Sequence, residues 1–200
     1  MAKGGGYERD MAKLWSRWFS NGKRSDIFWR TDTSGGRATS RRKQKKPTLW
    51  SLFGDMTFRD SVGEILIKTF CFEFKKGYGK KKSKIGVLEM IDHSKKRKLP
   101  LLIEWWEKQE VDRKAGKRKH SLLIFRRNMK EDVIMLSSEL YGLLVSKLGV
   151  IKNENILAVY YGHHELVMVQ LNGFLQWMTV RRFKELFGGK NVKSIRRRKQ

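Results

Sequence analysis

Cysteine is almost missing from this 200-residue chain. The single Cys71 permits no intrachain disulfide and no cysteine-based zinc site, which fits a reducing cytosolic setting. No apolar run approaches the roughly 18 residues of a membrane-spanning helix. No hydrophobic signal region follows Met1–Gly6, and no internal repeat is visible. A cytoplasmic protein that avoids membranes is expected. Acidic charge is also scarce: 20 Asp+Glu stand against 45 Lys+Arg, a formal net charge of +25. So large an imbalance repels itself unless a polyanion offsets it, so nucleic acid is the expected partner and an anionic membrane surface the weaker candidate. Proline occurs only twice, while seven tryptophans, 12% aromatics and 40% hydrophobic residues exclude a disordered basic tail. The length suits one domain with an appendage.

The positive charge is spread along the chain. It falls in the blocks 37–46, 75–84, 95–98 and 113–119 and in the tail, with apolar segments between them. A core whose loops all carry cations suits a protein that grips phosphates along an extended track. Arg30, Arg37, Arg41, Arg42, Lys76, Lys80, Lys81 and Lys82 are the candidate phosphate contacts. A solvated basic surface, or an RNA-packaging or ribosome-associated protein, would share this composition.

Apolar spacing at Tyr7, Met11, Leu14, Trp15, Trp18 and Phe19 predicts a helix over 7–20, stopped by Asn21-Gly22. Residues 30–47 read as a basic loop, mobile without a ligand; Arg30-Thr31 at its start has no assigned place. Strands are expected over 49–58 and 64–75 as a hairpin turning near 59–63. A basic loop over 76–98 follows. Pro100 then opens a helix with Leu102, Trp105, Trp106 and Gln109 on one face. Strands over 121–126 and 133–136 precede a helix over 139–148, capped by Ser137 or Ser138 and ended by Gly149. Strands over 156–161 and 166–171 and a helix over 180–187 capped by Thr179 complete a mixed α/β order.

Chemistry concentrates where Gly54-Asp55 is followed, 17 residues later, by Glu73-Phe74-Lys75. On a strand Glu73 and Lys75 share one face, while Phe70, Phe72 and Phe74 share the other and enter the core. A hairpin brings Asp55 towards Glu73, although its unequal arms need a bulge or wider loop. Two converging carboxylates repel, and a hard cation such as Mg²⁺, with Mn²⁺ as substitute, relieves the repulsion. Such an ion polarises a phosphate and activates water, and Lys75 can orient that water or stabilise developing charge. An ordinary surface salt bridge produces the same spacing.

This pattern resembles the PD-(D/E)xK nuclease superfamily, with Gly54 where the signature usually has proline. The order Gly6-Tyr7-Glu8-Arg9, Ser34-Gly35-Gly36, Asp55, Glu73-x-Lys75 is similar to the archaeal-type Holliday junction resolvases. The resemblance covers residues 4–76. It implies a restriction-endonuclease-like α/β core, a mixed central sheet flanked by helices, with basic loops and a C-terminal extension. Residues 1–150 would form the core, 151–190 would complete or extend it, and 191–200 would be a basic tail. It also implies that Glu8 joins Asp55 and Glu73 at the metal, with Ser34 beside them. A homodimer in bacteria, archaea or phage, acting on duplex or branched DNA, would follow.

Each residue has a plainer reading. Glu8 suits a helix N-terminus, Ser34 suits a turn, and Gln109 is either active-site support or a buried amide bonded to backbone. His163-His164 reads as a hairpin turn rather than a metal site. Trp15 and Trp18 fit the core, whereas Trp29 beside Arg30 can stack on a base. The expected function is a Mg²⁺-dependent endodeoxyribonuclease. The alternative is a non-catalytic DNA- or RNA-binding structural protein on the same fold.

Overall fold

A computed structural model describes residues 4–31, 50–77, 99–152 and 154–188. Helix α1 (Gly4–Phe19) is followed by strand β1 (Phe28–Arg30), a 3₁₀ turn (Trp50–Leu52) and strand β2 (Met56–Phe58). A second 3₁₀ turn (Ser61–Gly63) leads into α2 (Glu64–Thr69), which runs directly into β3 (Phe70–Lys76). Helix α3 (Leu101–Ala115), strands β4 (His120–Arg126) and β5 (Asp132–Ser137) and helix α4 (Ser138–Leu148) come next. The hairpin β6 (Leu157–Tyr161) and β7 (His164–Gln170), then α5 (Leu171–Trp177) and α6 (Val180–Phe187), close the order.

Five strands form one mixed sheet, β3-β4-β5-β7-β6. Only β3 and β4 are parallel, with α3 between them in the chain, and the other pairings are antiparallel. Helices cover both faces. Phe70, Phe72, Phe74, Leu122, Ile124, Ile134 and Leu136 pack with residues of α1, α4, α5 and α6. The alternate residues Leu123, Phe125 and Met135 pack with Leu102, Ile103, Trp105 and Trp106 of α3. Burial on both faces makes the central strands nearly continuous apolar runs. The β6–β7 hairpin joins this same sheet through β5, and Leu171, Phe174 and Phe183 after it pack into the same core as α1 and β3. The fold is the mixed α/β, restriction-endonuclease-like architecture that the sequence implies.

Several expected elements form where the pattern places them. Helix α1 ends in left-handed Asn21 and Gly22, and the Gly22 amide bonds the Arg17 carbonyl at 2.7 Å. The Pro100 carbonyl accepts the Ile103 and Glu104 amides in the first turn of α3. Ser137 caps α4 through the Leu140 amide, and Thr179 caps α6.

The expected hairpin over 49–75 is not present. Residues 64–69 are helical, because Asp60 caps the turn at the Val62 amide, Glu64 and Lys68 pair one helical turn apart, and Leu66 and Ile67 enter the core. The unequal arms are thus taken up by a helix rather than a bulge. Strand β2 pairs with β1, not with β3. A short helix over 171–177 also replaces the last residue of an expected strand.

Candidate active site

Asp55 reaches β3 through its backbone. Its amide donates to the Phe72 carbonyl at 2.7 Å, and the Phe74 amide donates back to Asp55 Oδ2 at 2.8 Å. From the other side the Thr31 amide donates to the Asp55 carbonyl at 3.1 Å, and Thr31 Oγ1 donates to the Gly54 carbonyl at 2.7 Å. Thr31, unassigned from sequence, is therefore part of the frame that fixes Asp55. No periodicity could reveal it, because its role is a bond to a residue more than twenty positions away.

Gly54 has a physical reason to depart from the proline of the signature. Its φ is +80°, which proline cannot adopt, and a Cβ there would lie 2.7 Å from the Phe72 carbonyl oxygen. The close approach of this segment to β3 needs a residue with no side chain at position 54.

Glu73 stands on the face of β3 opposite Phe72 and Phe74. Asp55 is 5% exposed and Glu73 is 4% exposed, so both carboxylates are withdrawn from water. Lys75, two residues on, donates from Nζ to Glu73 Oε1. Burial first, then the Glu73 carboxylate, hold the Asp55 carboxyl well above the usual carboxylate range. Lys75 and the Phe74 amide pull the other way, and Glu8 adds to the rise. The four predicted residues Glu8, Asp55, Glu73 and Lys75 therefore share one electrostatic neighbourhood. Glu8, on α1, has Arg30 Nη1 3.6 Å from its Oε2. Among the described residues, no three His, Cys, Asp or Glu side chains gather in a group able to hold a metal ion.

The outlying candidates divide. Arg30 lies at this site, held to Glu8. Lys76 is exposed, with Nζ 5.5 Å from the Tyr7 ring centroid. Arg126 faces the same ring at 5.2 Å and bonds Asp132, which accepts the Tyr7 hydroxyl. Gln109 is a buried amide that donates to the Cys71 carbonyl at 2.8 Å, pinning α3 beneath the strand that carries Glu73. Ser34, Arg37, Arg41, Arg42, Lys80, Lys81 and Lys82 lie outside the described residues. Gly162-His163 forms the tight turn between β6 and β7, and His164 Nε2 sits 3.2 Å from Glu107.

The basic block over 113–119 does not act as one phosphate-gripping loop. Arg113 is tied to Glu110, and Arg118 is 3% exposed. The Arg118 guanidinium donates to the carbonyls of Ile67, Phe70, Trp50 and Phe53, and lies 5.2 Å from the Trp50 ring centroid. Burial pushes its pKa down to about 10. It joins the start of β3 to the segment that delivers Gly54-Asp55. Sequence reasoning missed it because a buried arginine bonded to backbone is indistinguishable, by composition, from its solvated neighbours.

The family model described as "phage putative PDDEXK endonuclease" matches residues 1–185. No curated protein and no solved structure matches the chain.

Proposed function

Because the chain belongs to this PDDEXK endonuclease family, we propose that it is a divalent-metal-dependent DNA endonuclease whose chemistry centres on Asp55, Glu73 and Lys75. The observation that carries this reading is the juxtaposition of two buried carboxylates, one backbone-locked to β3 and the other on it, beside a lysine. A buried carboxylate pair is costly unless a cation offsets it.

The donor set fits Mg²⁺ or Mn²⁺, since Asp55 and Glu73 offer hard oxygen ligands. Glu8 does not gather with these two into a three-carboxylate group, although its charge bears on Asp55, so it would have to shift its side chain to join them. When bound, the ion would supply Lewis-acid polarisation of the scissile phosphate and lower the pKa of a water. The residues of the chain prepare that event. The Phe74 amide fixes the orientation of the Asp55 carboxylate. Lys75 Nζ, now on Glu73, can turn to a phosphate oxygen or the attacking water and stabilise negative charge there. Arg30, ion-paired with Glu8, would offer a cation to a backbone phosphate on that side. The presence of Glu8 in this neighbourhood favours branched DNA as a substrate, after the resolvases that the sequence resembles.

A panel of linear, nicked and four-way DNA with Mg²⁺ or Mn²⁺ tests the proposal. Cleavage in the parent, lost in Asp55→Asn and Glu73→Gln while binding persists, supports it. No cleavage of any member, with binding retained, favours a nucleic-acid-binding protein without catalysis.

A further inference from the structure

Of the seven tryptophans, six are buried or half-buried and one, Trp29, is 41% exposed. Its indole offers one of the largest flat apolar surfaces of any side chain to solvent. Trp29 lies on β1, directly opposite Thr57 of β2. The ladder continues beyond the three paired residues at both ends: the Thr31 amide bonds the Asp55 carbonyl at 3.1 Å, and the Arg59 amide bonds the Ile27 carbonyl at 2.8 Å. Side chains alternate along a strand and match across it. Within the paired residues Trp29 and Thr57 therefore share one face; the alternation ends there, since Ile27 is buried beside Phe28 and the Asp55 carboxylate turns to the Phe74 amide of β3. Phe28 and Met56, on the opposite face, are fully buried in the core with α1.

Arg59 reaches the Trp29 side, its guanidinium carbon 5.7 Å from the ring centroid. An indole with a cation over it is the pairing that holds a nucleobase and its phosphate together. Thr57 is two residues from Asp55, about 7 Å along a strand. Trp29 lies one strand spacing, about 5 Å, further across, so at a rise of about 3.4 Å per nucleotide the span is about two or three nucleotides.

We propose that Trp29, backed by Arg59, is a stacking platform for an unpaired base about two or three nucleotides from the scissile phosphate. The enzyme then selects nucleic acid with a splayed or extruded base beside the cut. In an intact duplex both faces of each internal base are covered by its neighbours, so the platform engages only where a base is free. The proposal rests on the nuclease reading of Asp55 and Glu73, which places the cut.

The test uses the full chain carrying Glu73→Gln, a splayed-end DNA with 2-aminopurine at the first unpaired positions, and the fully paired duplex of the same sequence. Binding should quench the 2-aminopurine, and the splayed DNA should bind more tightly than the duplex. Adding Trp29→Ala should lower the ratio of the two affinities by about 5- to 150-fold, the range that base–aromatic stacking spans. Trp29→Phe keeps a ring and should hold the ratio within about 3-fold of the parent. No quenching, or a ratio that Trp29→Ala leaves unchanged, overturns the platform. Cleavage by the chain with its Glu73 intact is scored separately. Quenching without cleavage leaves the platform standing and removes the nuclease reading. Cleavage with no change in the affinity ratio does the reverse.

Discussion

Replacing Asp55 by Asn should make the metal-free protein more stable, although it removes a residue at the centre of the site. Asn is nearly isosteric, and its side-chain oxygen can still accept the Phe74 amide that now bonds Asp55 Oδ2 at 2.8 Å. What is lost is a charge opposed first by burial and next by Glu73. Two unit charges about 6 Å apart at an effective dielectric of about 20 repel by roughly 3 kcal/mol. Lys75 offsets part of this, so a net gain of about 1–3 kcal/mol is expected near neutral pH. The gain depends on pH with a definite sign. The folded pKa of Asp55 is raised, so the native chain keeps a proton that the unfolded chain has already released. That stabilising contribution is complete below the unfolded pKa of about 4 and is lost as pH rises through the folded value. Asn should therefore gain little near pH 4 and progressively more towards neutrality. Urea unfolding in EDTA at a series of pH values measures this. Mg²⁺ should then stabilise the parent, by about 1.4 kcal/mol at ten times Kd, and leave Asp55→Asn unmoved. Destabilisation by Asn at neutral pH in EDTA, or equal Mg²⁺ stabilisation of both proteins, would refute the reasoning.

Arg118→Met strips the guanidinium from four carbonyls and should cost about 3–5 kcal/mol in urea unfolding, with Arg118→Lys costing less because an ammonium has three donors; a cost under about 1 kcal/mol would remove its role as the clamp. Gly54→Ala puts a Cβ against the Phe72 carbonyl at a left-handed φ and should destabilise by about 2–4 kcal/mol while lowering cleavage, read from unfolding and turnover on the same preparation. Ser137→Ala removes the cap at the Leu140 amide and should cost about 1 kcal/mol with cleavage per folded molecule unchanged.

The sequence was legible where local rules and burial agreed. Helices α1, α4 and α6 show a 3.6-residue period with caps or glycine stops that nothing in the tertiary structure contradicts. The alternation of Phe70, Phe72 and Phe74 against Glu73 and Lys75 gave the two faces of β3 correctly. Residues 64–69 were misread because Ile65, Ile67 and Thr69 favour strands by type. The cap at Asp60 and the Glu64–Lys68 pair favour a helix by position, and position won. Asp55 reached Glu73 without the hairpin, through bonds to Phe72 and Phe74 that leave no periodic trace. Thr31 and Arg118 were hidden for the same reason: each acts on carbonyls remote in sequence, which pattern reading does not see.

The proposed phosphodiesterase site needs both Asp55 and Glu73 to hold its metal. Cleavage of the DNA panel with Mg²⁺ by the parent, Asp55→Asn and Glu73→Gln tests it most directly, with binding measured on the same samples. Cleavage by the parent alone, at similar binding in all three proteins, is the predicted result. Unchanged cleavage in either variant would contradict the account.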